Sequence, residues 1–314
     1  MNRILITGGL GYVGGRLTRK LADSFNVIVS TRTPVVDNIL KLHNATAQVT
    51  HDELLQATTF PAGIHTVIHM ASLNEIDCVR YPSDAIRVNI DETRIILDNA
   101  IRAGVSNFIY FSTAHIYRSP LTGSIDETTL PVPVHPYAIT HKAAEDYVIA
   151  ADRQRKINAS IFRLSNSFGA PIMATVNRWT LLANDLCRQA IEKNVLRLSS
   201  NGCQYRDFIC LRDVENILLR VCRQDVQLSE KVYNLGAGIS MKVIDMARLI
   251  AEQYQELFGK TIGIELPADT VPTHEPYLEF NIDRLKKEGF HIQNDFSTEL
   301  KELLLFCKAN FSAS

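Results

Sequence analysis

Three glycines, Gly9, Gly11 and Gly14, follow the apolar run Ile4-Leu-Ile-Thr7 in the spacing G-x-G-x-x-G. Glycine at these positions lets the chain turn tightly, approach a pyrophosphate with its backbone, and pack the next helix close to the strand it has just left. Phosphate charge then meets a helix N-terminus, whose free N–H groups and dipole favour an anion. Glycines in a loop also make ordinary turns, so the flanking elements decide. Here an apolar strand precedes, an amphipathic stretch at 16–24 follows as a helix, and an apolar run at 26–30 completes a strand–helix–strand unit. That is the context of dinucleotide binding.

The alternation continues to about residue 165. Apolar runs at 66–70, 107–112 and 159–164 predict further strands, separated by helix-length stretches at 82–103 and 137–156. Such a pattern builds a parallel sheet covered on both faces, so the expected fold class is α/β, a Rossmann-type doubly wound parallel sheet. Beyond Asn166 the pattern is mixed, with helices at 180–193, 240–258 and 297–309. We expect a dinucleotide-binding domain over 1–165 and a smaller mixed α/β substrate domain over 166–314. Extended segments at 207–209 and 232–235 should rejoin the first domain, so return segments lie near 206–240.

The 314 residues are 46% apolar, enough for a large core. A net charge of -1, from 33 basic and 34 acidic residues without long runs, offers no footprint for nucleic acid or an anionic membrane. The six cysteines show no C-x-x-C spacing, which predicts free thiols and a reducing, cytoplasmic setting. Met1 leads almost directly into the first strand, so no signal peptide is expected, and no apolar run reaches membrane-spanning length. No Cys/His/carboxylate cluster has metal spacing, so no metal is expected.

Motifs spread along the whole chain resemble the extended short-chain dehydrogenase/reductase family, in its NAD(P)-dependent nucleotide-sugar epimerase/dehydratase branch. They are Thr7-Gly-Gly-Leu-Gly-Tyr-Val-Gly14, which includes Gly8, Tyr12 and Val13, then His69-Met-Ala-Ser72, Asn89, and Phe111-Ser-Thr-Ala-His-Ile-Tyr117. Pro136-Tyr137 with Glu145, Arg163-Leu-Ser-Asn166, Arg206-Asp-Phe208 and Tyr233-Asn-Leu-Gly236 continue the series. The resemblance implies that Met70, Ala71, Ser72 and Asn89 join the glycine turn in holding the dinucleotide.

By the same resemblance Tyr137 is the phenol that exchanges a proton with a sugar oxygen during hydride transfer, and Thr113 hydrogen-bonds that oxygen. Phenols titrate near 10, so the surroundings must tune this one. The family places a lysine four residues after the tyrosine, to bind the nicotinamide ribose and lower the phenol's pKa. This chain has His141 there, and Lys142 lies about 100° around the helix. Three alternatives stay open: a working His141, cationic below its pKa; Lys142 used after a local shift; or weakened hydride chemistry. The aspartate–glutamate pair that dehydratases carry after the threonine is replaced by Ala114 and His115. Dehydration is therefore not expected, and His115 becomes a candidate acid/base or a plain hydrogen-bonder.

NAD-binding members carry an acidic residue at the end of the second strand for the ribose hydroxyls. Thr31 and Arg32 stand there instead. A guanidinium suits a 2′-phosphate, so NADP(H) is the expected cofactor, with NAD(H) as the alternative. Asn166 and Arg206 match residues that contact a nucleotide-sugar pyrophosphate, and Asn177, Arg178 and Gln204 lie in segments lining its nucleoside end. The expected activity is a nucleoside-diphosphate-sugar oxidoreductase, first a 4-keto-sugar reductase. The alternatives are a 4-epimerase and a catalytically degenerate nucleotide-binding protein. The resemblance also implies a homodimer formed through the helices at 82–103 and 137–156.

Overall fold

A computed structural model describes residues 2–268 and 275–312. Seven parallel strands form the central sheet, in the spatial order Val232–Leu235, Asn158–Leu164, Asn107–Thr113, Ile64–His69, Arg3–Thr7, Asn26–Thr31, Ala47–Thr50. The fold is a Rossmann-type doubly wound sheet. Successive side chains on a strand face opposite ways, so Ile4 and Ile6 enter one core while Leu5 enters the other. The strand order reverses between Arg3–Thr7 and Ile64–His69, with Thr7 in register with His69. A crevice opens beyond the carboxyl ends of strands at such a reversal, which is where α/β sheets take ligands.

The first helix is Tyr12–Leu21, four residues earlier than its amphipathic pattern begins. Gly14 and Gly15 lower its intrinsic propensity, and close packing on the sheet overrides that. The stretch at 82–103 is broken: Pro82–Ile86 and Thr93–Arg102 are α-helical, and Arg87–Glu92 between them is a π-turn. Residues 240–258 divide into a short strand, Ser240–Lys242, and the helix Val243–Phe258. Among the elements not expected from the sequence are the edge strand Ala47–Thr50, which is only part-buried and so carries a weak pattern, and the helix Leu211–Arg223, whose Leu211, Val214, Ile217 and Leu218 do recur at helical spacing and are buried.

Past residue 166 a second core forms from Phe168, Trp179, Leu186, Phe208, Met246, Leu300 and their neighbours. Its three-stranded sheet joins Asn166–Phe168, Tyr205–Cys210 and Ser240–Lys242. The strand Tyr205–Cys210 serves both cores, with Phe208 in this one and Ile209 in the core of the large sheet. Among the described residues no helix is long and apolar enough to cross a membrane, and no three His, Cys, Asp or Glu side chains cluster to hold a metal ion.

Candidate active site

The turn after the first strand is closed by contacts that exclude larger side chains. A Cβ on Gly14 would lie 2.1 Å from the Gly8 carbonyl oxygen, so only glycine lets the helix pack there. Gly8 takes φ +67 against the backbone of Met70 and Ala71. The N-cap of the helix is Gly11, which supplies no side-chain cap, and no acidic residue stands in the first turn. Its leading N–H groups and positive dipole end therefore suit a phosphate. Thr7 Oγ1 fixes the facing loop by accepting from Met70 N at 3.0 Å and Ala71 N at 3.1 Å. His69 braces the same point, with Nδ1 2.9 Å from Thr7 Oγ1 and Nε2 2.9 Å from Thr93 Oγ1. Burial pushes its pKa down to about 3, leaving the ring neutral.

These elements wall a cavity of about 800 Å³. Gly8, Gly11, Tyr12, Val13 and Gly14 line it on one side, and Met70, Ala71 and Ser72 on the other. Thr31 and Arg32 stand at one end with His51, Asp52, Arg87 and Glu92, while Tyr137 and His141 also line the cavity. The residues fit an extended dinucleotide. Two expected contacts lie elsewhere. Gly9 packs beneath the turn against Val29. Asn89, in the π-turn, is buried: its Oδ1 accepts from Leu73 N at 2.8 Å and its Nδ2 donates to Thr140 Oγ1 at 3.0 Å. It shapes the loop that faces the ligand and does not face the cavity itself.

A second cavity of about 300 Å³ adjoins the first and is lined by Thr113, His115, Asn166 and Arg206. Arg206 and Asp207 do not pair with each other, because neighbours on a strand point to opposite faces. Asp207 is buried and accepts from Ala237 N at 2.9 Å and Gly238 N at 2.8 Å. Desolvation raises its pKa to about 6. Arg206 turns the other way into the cavity and forms no ion pair with any described residue. Asn166 lines this cavity, and its Nδ2 donates to the Asp207 carbonyl at 2.9 Å. His115 opens to the cleft, and desolvation by the cleft walls, then Arg206, lower its pKa. Gln204 does not line the cavity; its Oε1 accepts from Ser200 Oγ at 3.1 Å. Asn177 lines the larger cavity instead of this one.

Tyr137 lines both cavities. It begins the helix Pro136–Arg153, whose N-cap, His135, accepts from Tyr137 N at 3.2 Å. That helix is tied to the sheet by the buried pair of Glu145 with Arg163, bonded at 3.0 and 2.9 Å. Arg163 also donates to Tyr117 Oη at 2.8 Å. Desolvation pushes the Tyr137 pKa up to about 12; Arg178 and the Thr113 hydroxyl pull it down, while Glu75 and Cys78 push it further up.

Of the three alternatives left open at the lysine position, a His141 that works as a cation is not favoured by its surroundings. Its ring packs on Tyr137 at 4.1 Å between centroids, and Nδ1 donates to the Tyr137 carbonyl at 2.8 Å. Burial lowers its pKa to about 4, with Arg178 adding in the same direction, so it is neutral at neutral pH. Lys142 lines neither cavity and pairs with Asp146 at 2.5 Å. Arg178 lines both cavities, as Tyr137 does, and pairs with Glu75 at 2.9 Å. Glu75 carried no signal in sequence, since it opens the short helix Glu75–Arg80 outside any motif and meets Arg178 from 103 residues away. Ser112 is a further addition: it lines both cavities, and its buried hydroxyl has no partner among the described residues.

The sequence profile of the NAD dependent epimerase/dehydratase family matches residues 4–236. The chain belongs to this family. It is 26% identical over 306 residues to UDP-glucose 4-epimerase of Azospirillum brasilense, covering 91% of this chain and 86% of the relative. It is 22% identical over 333 residues to dTDP-D-glucose 4,6-dehydratase of Homo sapiens, covering 98% and 91%. UDP-glucuronic acid 4-epimerase from Bacillus cereus, solved with UDP-glucuronic acid and NAD, superposes with a TM-score of 0.79 at 20% identity. That superposition covers 98% of this chain and 99% of the epimerase. This family member departs from the expected pattern at His141, which takes the lysine's place, and at Ala114–His115, where dehydratases have acids. Among its described residues Glu75 is the one carboxylate lining the second cavity, and it is paired.

Proposed function

We propose that the protein reduces a 4-keto sugar carried on a nucleoside diphosphate, using NADPH. The observation that carries this is the meeting of two cavities at one phenol. A dinucleotide-shaped space and a smaller space with an uncommitted guanidinium share Tyr137 as their common wall. Arg206 and Asn166 bind the diphosphate, and Thr113 and Tyr137 address the sugar oxygen. When bound, the dinucleotide supplies hydride to C4. As it arrives, Tyr137 gives its proton to the C4 oxygen, so ketone, hydride and proton become an alcohol. A phenol held in its neutral form by burial suits this donation, whereas oxidising an alcohol first needs a phenolate. His115, whose pKa is lowered by desolvation and Arg206, lines the same cavity as a neutral ring that can hydrogen-bond the sugar. Thr31 and Arg32 in place of an acid favour NADPH, and a dissociable reductant suits a reductase.

A second reading is a C4 epimerase, which the similarity to 4-epimerases over most of the chain favours. An epimerase retains its dinucleotide through oxidation and re-reduction. The test is to denature the purified protein, identify any dinucleotide released, and follow NADPH consumption with 4-keto derivatives of UDP-, GDP-, CDP- and dTDP-sugars. Tightly held NAD with interconversion of C4 isomers would replace the reductase by the epimerase. Binding of nucleotide sugars without turnover would favour a degenerate binding protein. Exposed Ile86, Ile139 and Tyr147 on the two helices named above support a homodimer, checked by sedimentation.

A further inference from the structure

Six residues line both cavities, Tyr12, Val13, Ser112, Tyr137, Leu164 and Arg178, and of these only Arg178 carries charge. It comes from the loop between the strand Asn166–Phe168 and the helix Leu182–Lys193. Its guanidinium is held at the entrance of the Glu75–Arg80 helix by Glu75 at 2.9 Å. The helix that bears Tyr137 has no charge to offer. His141 is buried, with Nδ1 spent on a backbone carbonyl, and Lys142 is paired outside the cleft. The groups facing Tyr137 are Glu75 and Cys78 from the Glu75–Arg80 helix, Thr113 and Tyr110 from the strand Asn107–Thr113, His141 from its own helix, and Arg178. Arg178 is the one permanent cation among them.

We infer that Arg178, reaching in from the substrate half of the chain, supplies the positive charge at Tyr137 that the Pro136–Arg153 helix lacks, with Glu75 positioning it. The inference rests on the proposed proton transfer by Tyr137. As the phenol gives up its proton it becomes a phenolate, and a nearby cation stabilises that charge as it develops. Arg178 acts through Tyr137 and does not hold the substrate, so its loss should appear in kcat. It should also appear in the phenol's own titration whether or not substrate is present. The alkoxide character that develops on the sugar oxygen never has to reach Arg178 for this to hold. Because Arg178 and Glu75 come from the two halves of the chain, the charge is in place only when the cleft walls are correctly docked.

The experiment uses the whole protein with a ring-fluorinated tyrosine in place of tyrosine, whose phenol titrates several pH units lower and so while the protein is still folded. Fluorine-19 NMR follows the Tyr137 resonance, identified by its absence in Tyr137→Phe. Arg178→Gln should raise the midpoint of that resonance by about one pH unit or more. Arg178→Lys should hold it near the wild-type value. Arg178→Met, which keeps the apolar stem of the side chain, should raise it by a similar amount, which keeps the test decisive if Arg178→Gln folds poorly. Adding His141→Lys to Arg178→Gln should bring the midpoint back, an effect that a merely structural role would not produce. In turnover, Arg178→Gln should cut kcat about tenfold with KM little changed. A midpoint unmoved in Arg178→Gln overturns the inference, as does a raised KM with intact kcat. Absence of turnover in wild type with every nucleotide sugar would sink the functional proposal alone, because the titration still decides the role of Arg178.

Discussion

Replacing Arg32 by alanine should remove the preference for NADPH over NADH. Arg32 follows directly after the strand end at Thr31, is exposed, lines the larger cavity and forms no ion pair with a described residue. Neighbouring basic side chains are engaged: Arg87 pairs with Asp84 and Glu92, and His51 Nε2 lies 2.7 Å from Glu92. A hydrogen bond to a charged group contributes about 1.5–3 kcal/mol, and solvent screening places an exposed guanidinium at the lower end. At about 1.4 kcal/mol for each factor of ten, NADPH affinity should fall about tenfold while NADH affinity stays the same. Fluorescence titrations of both cofactors into wild type and Arg32→Ala measure the ratio. Competition by adenosine 2′,5′-bisphosphate against adenosine 5′-phosphate isolates the phosphate's share. Thr31→Asp should push the preference toward NADH by restoring a carboxylate for the ribose. An unchanged NADPH/NADH ratio in Arg32→Ala would refute the assignment and make that guanidinium a solvated loop charge.

Arg206→Ala and Asn166→Ala should each weaken nucleoside-diphosphate binding about tenfold or more while leaving dinucleotide binding intact, because the groups line different cavities. Calorimetry with UDP, GDP, CDP and dTDP reads both effects, and equal loss for both ligands would show that the cavities are not separate sites. His141 titrates near 4 in the folded protein against 6.5 in a free chain, so the unfolded chain binds its proton first. Its contribution is therefore complete above about pH 6.5 and is lost as pH falls toward 4, at about 1.4 kcal/mol per pH unit. Urea denaturation across that range should show a shallower pH slope for His141→Gln, and parallel slopes would exclude the effect. Arg16 joins Glu215 and the fully buried Glu299, so Arg16→Ala should cost about 3–5 kcal/mol by stranding buried carboxylates. A loss below about 1 kcal/mol on thermal denaturation would mean that solvent reaches the cluster.

Local spacing made much of this protein readable from its sequence. The glycine turn, the alternating strands and helices, and the Thr31–Arg32 strand end depend on neighbours along the chain. So does the i, i+4 relation of Tyr137 and His141, since backbone geometry alone sets which side chains share a face. Contacts between distant segments were not readable in that way. Arg178 meets Glu75, Arg16 meets Glu299, and Asn89 leaves the cavity to satisfy Leu73 through a π-turn that no periodicity announces. The charge states were hidden for the same reason. Histidine is a cation or a neutral ring according to its surroundings, and burial at 2% exposure makes His141 neutral. Residue type and spacing determined where a phenol and its neighbour would stand. Only the tertiary structure, through desolvation and the charges it brings close, decided which group could supply a cation there.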